Sequence, residues 1–218
     1  MACMAGRLIC AIQVTRPVRV TRSWGMVPMS SREYSDQERA ILLDIARRSI
    51  AYGLDTGRPL PVNVAEFPPH LQEHRASFVT LNERGQLRGC IGALEAYQPL
   101  VKDVADHAFA AAFQDPRFPP VQPHELPELE IHVSVLSPPE PMTFRDEADL
   151  LAQLRPGVDG LILRAGHHQG TFLPSVWEQL PRREDFLAHL KLKAGLPPDY
   201  WSDDVQVWRY TTEEFSDR

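Results

Sequence analysis

Prolines recur along the whole chain, and their spread is the feature that most limits the folds open to it. The 218 residues include 20 prolines and 12 glycines. Because proline lacks an amide hydrogen and stops helices, this spread favours many short elements over a bundle of long helices. The length suits one domain or two small lobes, and 43% hydrophobic residues suffice for a buried core. The expected class is α+β.

Amphipathic periodicity predicts four helices. The first begins at Ser35, where a serine followed three residues later by Glu38 forms a capping box, and it ends at Gly53 or Gly57. The other three span residues 98–113, 146–154 and 183–194. On the second helix the pattern puts Lys102, Asp103 and Asp106 on the solvent side. On the last helix it turns Phe186, Leu187, Leu190 and Leu192 inward.

Five or more strands accompany these helices. Residues 77–81 and 87–92 read as a hairpin around residues 82–86, and residues 129–136 alternate as a half-buried strand does. A further strand at 158–164 precedes a turn at 165–170 that leads to 171–173, and residues 205–211 close the chain as a strand.

The first 32 residues differ from the rest in charge. They hold five arginines and no acid, which leaves 18 basic and 29 acidic residues, or −11, for residues 33–218. We expect a disordered leader followed by one folded domain at 33–218. The leader fits a mitochondrial transit peptide, and equally an upstream start with Met26 or Met29 as the true beginning. The acidic body is not expected to bind nucleic acid, whose phosphates require Lys and Arg.

Cysteine is too scarce for disulfides or a usual zinc site. Cys90 is the one thiol in the body, Cys3 and Cys10 lie in the leader, and no Cys-x-x-Cys spacing occurs. A reducing, cytoplasmic setting follows, with a mitochondrial one if the leader is a transit peptide. No phosphate-binding glycine loop is present, so no cofactor is expected. The apolar run at residues 8–14 is too short to span a bilayer, and no membrane segment is expected.

Residues 87–92 read Leu-Arg-Gly-Cys-Ile-Gly and look suited to chemistry. Gly89 and Gly92 flank Cys90 and let the backbone approach a ligand closely. The charge of Arg88 would favour the thiolate, which is the nucleophilic form of cysteine. The alternative is that Cys90 is a small buried hydrophobe in a tight strand.

This hexapeptide resembles the hallmark of the AMME chromosomal region family, also called AmmeMemoRadiSam system protein A. Family-like segments continue in order from about Ser35 to Phe215, and they include residues 78–81, 111–118, 130–136, 157–161, 172–177 and 186–196. The resemblance implies an antiparallel sheet with helices in two subdomains. It also implies partners in a Memo-like protein and a radical S-adenosylmethionine enzyme, but no known reaction. Two departures are His132, where relatives commonly carry an acid, and the histidines at 167–168.

The first functional hypothesis is an enzyme or enzyme subunit. Cys90 would be the nucleophile or covalent carrier, Arg88 would orient an anionic group, and His132 or Glu130 would be the base. Strand alternation puts Glu130 and His132 on one face. Alternatively, His132 has no catalytic role and simply lies on the solvated face of its strand.

The second hypothesis is a non-catalytic adaptor that docks a partner protein. The loop after the second helix carries Asp115, Arg117 and Phe118, and Arg and Phe are residue types able to anchor interfaces. Gly89 and Gly92 would then serve structure or recognition. Alternatively, Arg117 simply pairs with Asp115 or caps the helix carbonyls.

Overall fold

The computed structural model describes residues 33–217 together with the backbone of Leu8–Ile9. The described chain separates into two compact units, one of residues 33–135 with 213–217, the other of Leu136–Thr212. Each unit has an antiparallel sheet with helices, so the expected α+β class is confirmed. The expectation for the leader falls on residues that, apart from 8 and 9, lie outside the described ones.

Nine strands and four α-helices make up the described chain. The helices are α1 Asp36–Thr56, α2 Leu100–Phe113, α3 Glu147–Gln153 and α4 Arg183–Lys193. The strands are β1 Leu8–Ile9, β2 Ser77–Glu83, β3 Gln86–Gly92, β4 Leu129–Leu136, β5 Glu140–Pro141, β6 Gly160–Ala165, β7 His168–Phe172, β8 Gln206–Tyr210 and β9 Thr212–Ser216. Short 3-10 helices occupy Val64–Glu66, Pro69–Gln72, Leu126–Glu128 and Pro174–Glu178.

The sheet of the first unit has the strand order β1-β3-β2-β4-β9. Its central strand β2 pairs antiparallel with both neighbours, so that Thr80 lies opposite Cys90 on β3 and opposite His132 on β4. Alternate β2 and β4 residues, among them Val79 and Ile131, join α1 and α2 in one fully buried core. Because residues of a strand alternate between faces, Thr80, Cys90 and His132 share the other face of the sheet.

Helix α1 begins and ends as its sequence predicts. Ser35 Oγ accepts the Glu38 amide at 3.3 Å, and the Glu38 carboxylate accepts the Ser35 amide at 2.8 Å. At the other end Gly57 adopts a left-handed φ of 69°, and its amide donates to the Gly53 carbonyl at 2.9 Å. These contacts satisfy backbone groups that a helix end leaves without intrahelical partners.

Asp103 of α2 is buried, and its expected place on the solvent side is wrong. The carboxylate accepts the amide of Ser77 at 3.0 Å, the hydroxyl of Ser77 at 2.7 Å and the amide of Gln98 at 3.1 Å. The imidazole of His107 lies 3.1 Å away. A buried strand end therefore recruits a carboxylate from the helix, because polar groups removed from water need partners.

The second unit has a four-stranded sheet with the order β5-β8-β6-β7, and α4 packs against β7. Phe186, Leu187 and Leu190 are fully buried, but Leu192 is 51% exposed and its expected inward direction is wrong. Lys191 is buried instead. Its ammonium group can occupy that position because it donates to Glu147 Oε1 at 2.6 Å.

Several element boundaries differ from those predicted. The β2–β3 turn consists only of Arg84 and Gly85, both with positive φ, so the hairpin is longer than expected. Strand β7 starts at His168 inside the predicted turn, and β5 and β9 were not predicted. Within the described residues, no helix combines the length and apolar character that crossing a membrane requires.

Candidate functional site

The two glycines of the hexapeptide allow the protein to pack against itself. A Cβ atom on Gly89 would lie 2.2 Å from the Ala111 carbonyl oxygen of α2, and one on Gly92 would lie 2.3 Å from the Phe78 ring. Both distances are far inside van der Waals contact. The space beside each glycine is therefore filled by backbone or side chain of the same unit.

Cys90 lies within β3 at 4% exposure, and polar groups surround it. Its amide donates to Asp115 Oδ2 at 2.9 Å, and its carbonyl accepts from Arg117 Nη2 at 3.4 Å. Its sulfur lies 3.2 Å from the Thr80 hydroxyl oxygen. The Asp115 and Arg117 side chains thus occupy both main-chain groups of Cys90, as a neighbouring strand would, and we call them the Asp115–Arg117 clamp.

The clamp is an ion pair whose acid is shielded from water. The Arg117 guanidinium contacts both carboxylate oxygens of Asp115, at 2.9 and 2.7 Å, and the Asp115 side chain is only 1% exposed. Burial by itself raises the pKa of Asp115. The hydrogen bonds from Arg117 and from the Cys90 amide outweigh it and hold that pKa below its ordinary value. Asp115 is therefore ionised at neutral pH.

Arg88 fastens the same loop at a second point. Its guanidinium binds Glu125 through two bonds of 2.7 and 3.1 Å and donates to the Pro119 carbonyl at 2.9 Å. The hydrogen bond from Arg88 lowers the pKa of Glu125, so the pair stays charged at neutral pH. The Arg88 guanidinium, which we predicted to orient an anionic group, is thus already held by a carboxylate of the chain.

Cys90, Thr80 and His132 form a polar row across three adjacent strands. Strands lie roughly 4.8 Å apart, so the Cα atoms of Cys90 and His132 are about 10 Å apart with Thr80 between them. His132 Nε2 lies 3.2 Å from Glu130 Oε1, within ion-pair distance but outside hydrogen-bond geometry. The structure thus brings the predicted thiol and base to one face but not into neighbouring positions.

Two residues that the sequence reasoning missed take part in this site. Thr80 contacts the sulfur, and Glu125 holds Arg88. Thr80 lies in the family-like segment 78–81 but was given no role, and Glu125 belongs to no motif, since it lies 37 residues from Arg88 in sequence. The only local feature that could have pointed to Glu125 is that its carboxylate follows a proline-containing loop. Among the described residues, no group of three or more His, Cys, Asp or Glu is placed to hold a metal ion.

Fold and site together define an α+β protein in which a glycine-flanked cysteine strand is clamped to the loop that follows α2. A family model described as AMMECR1 matches residues 43–215. The chain belongs to the AMMECR1 family, and the resemblance seen in the sequence is confirmed.

Relatives in archaea cover almost the whole folded part. A protein of Methanothermobacter thermautotrophicus is 40% identical over 187 residues, which is 83% of this chain and 95% of the relative. One of Thermococcus gammatolerans is 41% identical and covers 84% of this chain and 91% of the relative. The crystal structure of the uncharacterized protein PH0010 from Pyrococcus horikoshii is similar, with a TM-score of 0.72, 39% identity, and coverage of 80% of this chain and 89% of that one. The names of these relatives state no activity.

Proposed function

We propose that this chain is a non-catalytic adaptor that docks a partner protein in a cytoplasmic Memo/radical-SAM-linked modification pathway. The observation that carries the docking role is that the loop after α2 is held to β3 at two points. Asp115 and Arg117 bind the main chain of Cys90, and Arg88 binds Pro119 and Glu125. The partners, a Memo-like protein and a radical SAM enzyme, come from the family resemblance alone.

The fastened loop presents side chains suited to an interface. We define the docking loop as residues 115–120. The Arg117 guanidinium lies 5.4 Å from the centre of the half-buried Phe118 ring. Pro119 and Pro120 are exposed beside it. An aromatic ring, an arginine and two prolines therefore share one short segment, a composition typical of interface anchors.

Fixing this loop in advance favours association. A flexible loop loses conformational entropy when it binds, roughly 0.5–1.5 kcal/mol for each immobilised side chain. Prolines at 116, 119 and 120 restrict the backbone. The Cys90 main chain holds the start of the segment through Asp115 and Arg117, and Arg88 holds the Pro119 carbonyl near its end. The hexapeptide then has the structural role of supporting the loop. This role explains why Arg88, Gly89 and a residue as small as Cys90 occupy these positions.

Co-purification tests the adaptor role. Tagged full-length chain is mixed with a purified Memo-like protein and, separately, with a purified radical SAM enzyme from the same source. We expect one of them to be retained, Phe118→Ala to weaken retention at least tenfold, and Cys90→Ser to leave it unchanged. Leu192→Ala, which removes an exposed apolar side chain from the second unit, is the control. Equal retention of all variants, or none with either partner, would refute the assignment.

A second candidate is a reactive Cys90, and the Thr80 contact favours it. The hydroxyl at 3.2 Å can donate to the sulfur and so stabilise a thiolate. His132 and Glu130 lie on the same face as candidate proton acceptors. In this scheme Glu130 or His132 takes the thiol proton, and the thiolate attacks an electrophilic carbon of the substrate. The bond from that carbon to its leaving group breaks, and the leaving group departs with the bonding electron pair and takes up the proton.

Labelling with iodoacetamide at neutral pH separates the two candidates. The thiolate would displace iodide and gain a carboxamidomethyl group, which mass spectrometry locates. A reactive Cys90 labels faster than glutathione and slows in Thr80→Val. The adaptor reading expects labelling slower than glutathione, because the residue is only 4% exposed, and no slowing in Thr80→Val.

A further inference from the structure

A groove in the second unit plays no part in the docking loop. It has a volume of about 430 Å³ and lies where the chain leaves β5 and diverges from β8. One wall is Pro141 to Arg145, the other is Trp201 to Asp203, and the β8 residues Val207 and Trp208 belong to its floor. This size falls in the range of about 300–1,000 Å³ found for ligand pockets.

Aromatic rings dominate the groove. Phe144 and Trp201 lie with ring centres 5.7 Å apart, and both of them and Trp208 are only half buried. Each tryptophan is held on one face by a cation: Lys191 Nζ lies over the Trp201 ring, and Arg164 Cζ lies over the Trp208 ring, each 5.5 Å from the ring centre. The groove therefore offers fixed aromatic surfaces, including two of the four tryptophans of the chain.

Main-chain groups along the floor are already used. The Val207 carbonyl accepts the Met142 amide at 2.8 Å, and the Val205 amide donates to the Ser202 carbonyl at 3.2 Å. The other edge of β8 is paired with β6. An occupant thus cannot bind by adding a strand at these groups, and it must be recognised through ring surfaces. A polyproline II segment is bound in this way, since it carries few amide donors and docks into aromatic-lined grooves.

A negative charge at the rim of the groove indicates a second property of the occupant. Asp203 is exposed, and among the described residues no Lys, Arg or His comes within 4.0 Å of its carboxylate. Arg145 on the opposite wall is already paired with Asp149 at 3.1 Å. The carboxylate of Asp203 is therefore available to a cation on the occupant.

We propose that this groove binds a proline-rich segment of a partner protein that carries an arginine or lysine next to the prolines. The prolines lie on Trp201, Trp208 and Phe144, and the cation pairs with Asp203. The assignment goes beyond the docking loop and does not depend on it, because each surface lies within its own unit.

The test uses full-length protein and synthetic peptides, with tryptophan fluorescence as the readout. The probe is a proline–leucine repeat peptide with two arginines at one end. One control peptide carries glutamates in place of the arginines, and another carries glycines in place of the prolines. We expect saturable binding of the probe in the micromolar range, and loss of binding in Trp208→Ala.

Asp203→Lys is the decisive variant, because an exposed side chain can change without affecting folding. At low salt this variant should bind the arginine peptide about fivefold more weakly than the native chain and bind the glutamate peptide more tightly. Both differences in affinity should disappear at high salt. Phe118→Ala should bind the probe with the same affinity as the native chain. The test of the groove is therefore independent of the test of the docking loop. No saturable binding, equal binding of the glycine peptide, or indifference to Asp203→Lys would each overturn the proposal.

Discussion

Replacing Asp115 by Asn leaves the shape of the clamp but removes its negative charge. The Arg117 guanidinium and the Cys90 amide would then share a neutral amide oxygen, where they now share a carboxylate that is 1% exposed. Breaking a buried ion pair by removing one partner costs about 3–5 kcal/mol. Because the Arg117 side chain is 24% exposed and stays partly hydrated, we expect a loss of about 2 kcal/mol.

Urea unfolding followed by circular dichroism measures this loss, and the thermal midpoint should fall by about 4–8 °C. The matched control is Asp44→Asn. Asp44 also pairs with an arginine, Arg48, but the two side chains are 62% and 59% exposed. Exposed pairs contribute about 0–1 kcal/mol, so the control should change stability by less than about 0.5 kcal/mol.

The same variant has a pH signature. The pKa of Asp115 is lower in the folded chain than its ordinary value of 3.8, so the folded state binds fewer protons in that range. The stabilisation is complete well above pH 3.8, and it is lost as the pH falls through that value toward the folded pKa. Asp115→Asn should therefore flatten the decline in stability below about pH 5. A variant as stable as the native chain, with an unchanged acid slope, would refute the clamp.

Three further sets of substitutions test the packing and the cap of helix α1. Gly89→Ala should cost about 3 kcal/mol or more in urea unfolding, because its Cβ would lie 2.2 Å from the Ala111 carbonyl oxygen; a loss below 1 kcal/mol would contradict this close approach. Leu190→Ala should cost about 2–5 kcal/mol and Leu192→Ala less than about 0.5 kcal/mol, since they are 0% and 51% exposed; the reverse order would show that α4 is rotated. Ser35→Ala should cost about 1 kcal/mol by loss of the helix cap, and Ser35→Asp should restore most of it.

Local signals predicted the elements well. The capping box at Ser35 marks the start of α1, and the alternation of residues 129–136 gives β4 with the observed bounds. Both signals depend on residues within a few positions of each other. Strand β9 escaped prediction because its Thr-Glu-Glu-Phe-Ser sequence has little apolar alternation, and it is held by β4 from far along the chain.

Buried charges were the main errors, for a common reason. Periodicity assigns every charged residue to the solvent side, but Asp103 and Lys191 are buried because each meets a partner from another element. Such a partner offsets the cost of removing a charge from water. Whether it exists depends on how the helices dock, and the spacing of apolar residues contains no information on that.

The sequence by itself determined the family, the α+β class and most elements, because capping, alternation and the hexapeptide are encoded over short stretches. Only the tertiary structure decided what the hexapeptide does. The partners of Cys90 and Arg88 lie 25 and 37 residues away, and strand pairing puts Thr80 between Cys90 and His132. Those contacts are fixed by long-range pairing and by the close approach of α2 to Gly89, which depend on the whole core being assembled.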